Sequence, residues 1–197
     1  MRIVLIGIFV AVTSCNAQNN KKLESEIASF FKISNKDIQN CQKESERLRD
    51  KKKEEWLIAN IYDQCIAQYE HYNFYKDNTL KMLEKTSGER NFLIINYISD
   101  NTHIPYSTKT ILKINNDYYG LKHYFEDENN QFVDKNEEFT LSNSELENIQ
   151  QIDEYLKTGS SEYISDKSAG LSGKNIHWYI VAKNNGELKM IELFRIK

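Results

Sequence analysis

Apolar residues run from Ile3 to Val12 and then stop, because Asn16 to Lys22 turns polar. From Lys21 to Lys85 there is neither proline nor glycine, so nothing in that stretch interrupts a helical hydrogen-bond ladder. This half is expected to be helical. A short first helix is expected around Leu23 to Phe31, and Ser34-Asn35-Lys36-Asp37 resembles a capping box that starts a second. Farther on, Ile58, Tyr62, Cys65, Tyr69 and Tyr72 alternate at spacings of four and three, which puts them on one stripe of a helix from about Glu54 to Lys85. That stripe is expected to be buried.

Near Gly88 the pattern changes to strands. Phe92 to Ile98, Lys109 to Ile114 and Tyr118 to Phe125 are apolar runs of strand length, the last two joined across Asn115-Asn116-Asp117, and together they predict a meander. Ser142-Asn143-Ser144-Glu145 forms a second capping box, after which Leu146, Ile149, Ile152 and Leu156 share one helical face until Gly159. The strands Ile176 to Lys183 and Glu187 to Ile196 flank Asn185-Gly186, whose two turn positions favour positive φ. A two-residue loop pairs Lys183 with Leu188, Ile180 with Ile191 and Trp178 with Leu193. One face then carries Trp178, Ile180, Ile191 and Leu193 as core, helped by Leu146, Ile149 and Ile152. The other carries His177, Tyr179, Val181, Met190, Glu192 and Phe194. The expected class is α+β, an N-terminal helical hairpin followed by an antiparallel sheet with one amphipathic helix. Between that helix and the last hairpin, Gly159 to Asn175 reads as a polar, glycine- and serine-rich connection.

The opening run is about half of the ~20 apolar residues a spanning helix needs, so it engages export machinery without remaining in a bilayer. It follows Arg2 and ends in Val12-Thr13-Ser14-Cys15, which resembles the lipobox of bacterial lipoprotein precursors. The resemblance implies cleavage before Cys15 and acylation of that cysteine; several acyl chains on one residue would hold the protein stably at a membrane of the cell envelope, either the outer membrane or the periplasmic face. Cys15-Asn16-Ala17 also fits an ordinary cleavage site, which would release the chain from Gln18. On the lipoprotein reading, residues 1–14 are the signal, 15–88 a tether and helical unit, and 89–197 the antiparallel α+β unit.

Removing Arg2 from the 26 basic side chains leaves 25 against 29 acidic ones, a net charge of −4. Both signs are interspersed, which argues against nucleic acid as a partner. With Cys15 lipidated, Cys41 and Cys65 remain, in a compartment that permits a disulfide. A single straight helix would hold them ~36 Å apart, against the ~4.4 to 6.8 Å between α-carbons that a disulfide allows. A hairpin turning near Lys52, within Asp50-Lys51-Lys52-Lys53-Glu54, brings them together. No Cys-x-x-Cys supports redox chemistry.

Catalytic patterns are missing. His71, His103, His123 and His177 lie scattered, without metal-ligand spacing, so no metal and no cofactor is expected. Gly170-Leu171-Ser172-Gly173 does not follow a strand as a phosphate loop would. Asp100, Asp117, Glu126 and Asp127 near strand ends read as ordinary turn carboxylates rather than a glycosidase pair. Tyr62, Tyr69, Tyr72, Phe74 and Tyr75 suit core packing better than a binding platform, although Tyr72, Phe74 and Tyr75 cannot share one face.

The expectation is therefore a non-enzymatic, membrane-anchored module that binds or assembles with another protein of the envelope, protection against a delivered toxin being one concrete form. The alternative is a small-molecule or glycan binder, or a weak hydrolase, using His177, Tyr179 and Glu192 on the outer face of the last hairpin. A convex apolar patch would favour the first and a concave pocket with converging polar groups the second.

Overall fold

The computed structural model describes residues 21–67, 69, 71–100, 107–128, 131–166 and 176–195. The signal segment, Cys15, Ala17, His103 and most of the Gly159 to Asn175 connection lie outside them. No described helix is long and apolar enough to cross a membrane. The chain is an α+β protein built on a seven-stranded antiparallel sheet.

The helical half runs as α1 (residues 21–30), α2 (Asn35–Asp50), α3 (Glu55–Ala67) and α4 (His71–Glu84). Ser34 caps α2, its hydroxyl accepting from the Asp37 N–H while the Asp37 carboxylate accepts from the Ser34 N–H. At the far end of α2 the N–H of Lys53 bonds the Leu48 carbonyl and that of Lys52 the Arg49 carbonyl, the paired pattern of a Schellman turn. Lys52 occupies the left-handed position of that turn at φ 52°, where glycine is the usual residue. α3 then runs back along α2, and Cys41 and Cys65 meet at disulfide distance, 5.5 Å between α-carbons.

One expected helix is two. The stretch from Glu54 to Lys85 breaks between Ala67 and His71, where the N–H of Tyr69 reaches back to Ile66 and that of Tyr72 to Tyr69 in tight three-residue turns. The expected buried stripe breaks with it: Ile58 is buried, whereas Tyr62, Cys65, Tyr69 and Tyr72 are only half-buried. α4 instead buries His71, Tyr75, Asn78, Thr79 and Met82. Periodicity reports a face but not its direction. The face that α4 buries is the one packed on the sheet, with Tyr75 and Met82 against the strands.

The strands are β1 (Phe92–Asp100), β2 (Ser107–Ile114), β3 (Asp117–Glu128), β4 (Gln131–Phe139), β5 (Ile164–Ser165), β6 (His177–Asn184) and β7 (Glu187–Arg195), ordered β4-β3-β2-β1-β6-β7-β5. The expected meander is β1-β2-β3, and the final hairpin has the expected register, Trp178 opposite Leu193 and Tyr179 opposite Glu192, around Asn185 and Gly186, both at positive φ. β4 has too few apolar residues to announce itself in the sequence, and it pairs with β3 alone. Its arrival explains Gly120, since a Cβ there would lie 2.7 Å from the Phe139 ring.

Both faces of the sheet are covered. Against one lie α1 and α4, with Ile27, Phe31, Tyr75 and Met82 packed on Ile94, Leu112, Leu121 and Val181. Residues on either side of Gly88 thus share one core. Within it, Asn96 is fully buried, its amide donating to the Thr79 hydroxyl at 3.0 Å and its carbonyl accepting from Thr110 at 2.7 Å, which ties α4 to the central strands.

The other face is covered by α5 (Asn143–Thr158), whose Ile149, Ile152 and Tyr155 pack on Leu93, Ile95, Trp178, Ile180 and Leu193. Ser142 and Glu145 cap its start as expected, and Gly159 ends it at φ 74°. Glu145 also joins the helix to the sheet, accepting from Lys109 at 2.5 Å and from the Tyr97 hydroxyl at 2.7 Å. Desolvation opposes its ionisation, but Lys109, the Ser142 backbone and Tyr97 outweigh it and hold the carboxyl at about 2, below its usual 4.5. A carboxylate depressed in the folded state contributes stability that is complete above its unfolded pKa and is lost as pH falls from about 4.5 to about 2. In urea titrations across that window, the native chain should lose more stability than Glu145→Gln; equal slopes would refute the role given to this carboxylate.

Candidate functional site

The pairing of β6 with β7 places His177, Tyr179 and Glu192 together on the face of the sheet that carries α1 and α4. Their environments differ. Tyr179 is buried beneath Phe30, Phe31, His71, Tyr72 and Tyr75, with ring centroids 5.2 to 6.4 Å away. Its hydroxyl shares a 2.9 Å hydrogen bond with that of Tyr72, not with Glu192. Burial above all, then the neighbouring Tyr72, raises the Tyr179 pKa, and burial likewise pushes Tyr72 up to about 12 although the shared bond works against it. Both hydroxyls stay protonated at any physiological pH. Tyr179 is therefore withdrawn from an external ligand, because the N-terminal helices supply the aromatic cover that hairpin register alone cannot show.

His177 and Glu192 sit at the edge of this cover. The His177 ring stacks on Phe194 and lies tilted against Tyr179, each 4.2 Å away, and its Nε2 lies 3.2 Å from a Glu192 oxygen without the geometry of a hydrogen bond. The trio combines one sealed phenol with one half-exposed contact between a histidine ring and a carboxylate. It offers no activated nucleophile.

A second histidine pair was not legible in the sequence. The Nε2 of His123 on β3 bonds the Asp134 carboxylate on β4, while its ring stacks on Phe74 of α4 at 3.6 Å. Desolvation lowers the His123 pKa against the pull of Asp134. The residue is 3 % exposed, and with one face and one nitrogen occupied it closes the core rather than opening to substrate. Phe74, Tyr72 and Tyr75 thus all contact the sheet unit, Phe74 through His123 and both tyrosines through Tyr179.

The remaining feature is the arm formed by α2 and α3. Neither cluster of the sheet core contains a residue from it. Among the described residues its own interior comprises Cys41, Ser45 and Ile58, with the disulfide across them. At its tip Trp56 is 65 % exposed, its indole N–H donating to the Glu54 carboxylate. A tryptophan following a single proline-free polar turn carries no local mark of exposure, so sequence reasoning did not single it out.

Fold and site together define an α+β protein with an antiparallel sheet covered on both faces and a disulfide-closed helical arm. Compared with protein-family models, with curated proteins and with solved structures, the chain shows no match.

Proposed function

We propose that this chain is a lipoprotein of the bacterial envelope, anchored through Cys15, that binds another protein through the tip of its α2–α3 arm. The observation that carries the reading is Trp56, a large apolar side chain left exposed on an element braced by its own disulfide. Tryptophan supplies much contact area with few rotors to freeze and is enriched among residues that dominate binding energy. The arm is ordered before it meets a partner, which lowers the entropic cost of association. Protection against a delivered toxin is one form such binding would take.

The reading is tested in cells expressing the full chain with a photo-cross-linker at exposed Ala59, one turn from Trp56. One discrete adduct is expected in the membrane fraction, reduced about tenfold or more by Trp56→Ala. The mature chain should begin at Cys15 and carry acyl mass. No adduct, or one indifferent to Trp56→Ala, overturns the arm; a chain beginning at Gln18 without acyl mass overturns the anchor.

A further inference from the structure

Past the last turn of α5, the described residues leave part of this sheet face open. A cleft of about 490 Å³ lies there, between the end of that helix and the hairpin ends of β1, β6 and β7. Its floor is apolar: Leu93 and Ala182 are paired across β1 and β6, and Leu156 of α5 forms a wall. Its rim is cationic, with Lys113, Lys157, Lys183 and Lys189 against Asp153 and Glu187.

The charges are unevenly engaged. Asp153 is taken up by Lys113 at 2.5 Å and by Lys157 at 3.3 Å, so it is already neutralised twice over. Lys183 donates to the Glu89 carbonyl at 3.0 Å. Among the described residues Lys189 has no ion-pair partner. It stands opposite Ala182 in the β6–β7 register, on the cleft side of the sheet. The frame is held by the Asn185 N–H on the Asn91 side chain at 2.8 Å and the Gly186 N–H on the Arg90 carbonyl at 3.2 Å. The cleft is therefore shaped before anything enters it.

We propose that this cleft binds a free, small amphipathic anion, an apolar chain or ring carrying one carboxylate, sulfate or phosphate. Its size falls within the ~300 to 1,000 Å³ typical of ligand sites. An apolar body would displace water from Leu93, Ala182 and Leu156, while the head group would meet Lys189 and Lys157 at the mouth. A neutral ligand would leave the ammonium surplus unused, and a cation would be repelled by it. The site shares no residue with the arm and stands or falls independently of it.

The test uses protein purified from cells expressing the full chain, titrated calorimetrically with decanoate and with 1-anilinonaphthalene-8-sulfonate, and with the uncharged 1-octanol for comparison. One anion per chain is expected. Lys157→Gln with Lys189→Gln, both exposed, should weaken anion binding about tenfold through loss of two nearby charges while leaving the thermal midpoint unchanged. Ala182→Leu, which fills the floor and keeps the lysines, should weaken both anions further. Binding by neither anion, anion binding unaffected by the double substitution, or octanol binding as tightly as decanoate would each overturn the proposal.

Discussion

Replacing Cys41 and Cys65 with serine is expected to loosen the α2–α3 arm while leaving the sheet folded. The bond joins residues 24 apart and closes a loop that, on the chain-entropy model, is worth about 3.5 kcal/mol. Cys41, Ser45 and Ile58 bury too little apolar surface to replace that constraint, and no residue of the arm enters either cluster of the sheet core. Opening should therefore be local. By hydrogen exchange, amides of α2 and α3 should exchange a few hundredfold faster in the double serine variant, the rate equivalent of that energy, while those of β1, β2 and β6 keep their protection. Equal loss of protection in arm and sheet would show that the two unfold as one unit. On the proposed function, the same variant should also lose the adduct at Ala59, since a partner would then have to order the arm as it binds.

Trp178→Ala is expected to cost about 3 to 5 kcal/mol, the range for deleting a large buried aromatic. Trp178 is 1 % exposed and belongs to the cluster formed by Ile149 and Ile152 of α5 with Ile180 and Leu193 of the final hairpin. Among the described residues a void of about 10 Å³ adjoins it, which gives neighbours little slack to collapse into the space left behind. For a chain of this size the loss corresponds to a fall in thermal midpoint of roughly 10 °C. Asn185-Gly186 should still turn and the strands should still pair in the same register, because the turn is local and the core contact is not. A midpoint within about 2 °C of the native value would mean that α5 is held by its lysine pairs rather than by this core.

Those lysine pairs show how the levels combine. Lys109 and Lys113 stand four residues apart on β2 and face α5, meeting Glu145 and Asp153 in turn. In sequence each is an ordinary solvated lysine. Only the packing of α5 alongside β2 makes them partners, and the same packing leaves Lys113 on the rim of the cleft.

By itself the sequence determined whatever neighbouring residues decide among themselves. The capping hydroxyls of Ser34 and Ser142 satisfy N–H groups three positions on, Gly159 takes a left-handed stop, and Asn185-Gly186 sets the pairing of Trp178 with Leu193. The arm was legible as well, since the separation of Cys41 and Cys65 admits a disulfide only if the helix folds back near Lys52. Tertiary structure alone decided the rest. It broke the expected long helix between Ala67 and His71 without proline or glycine, and set Tyr75 and Met82 of α4 against the sheet. It made a strand of the polar segment Gln131–Phe139, which pairs because β3 presents a free edge. Tyr179 bonds Tyr72, 107 residues earlier in the chain, and the cleft exists only where α5, β1, β6 and β7 meet. Contacts across such distances depend on which elements share a face, and no local spacing encodes that.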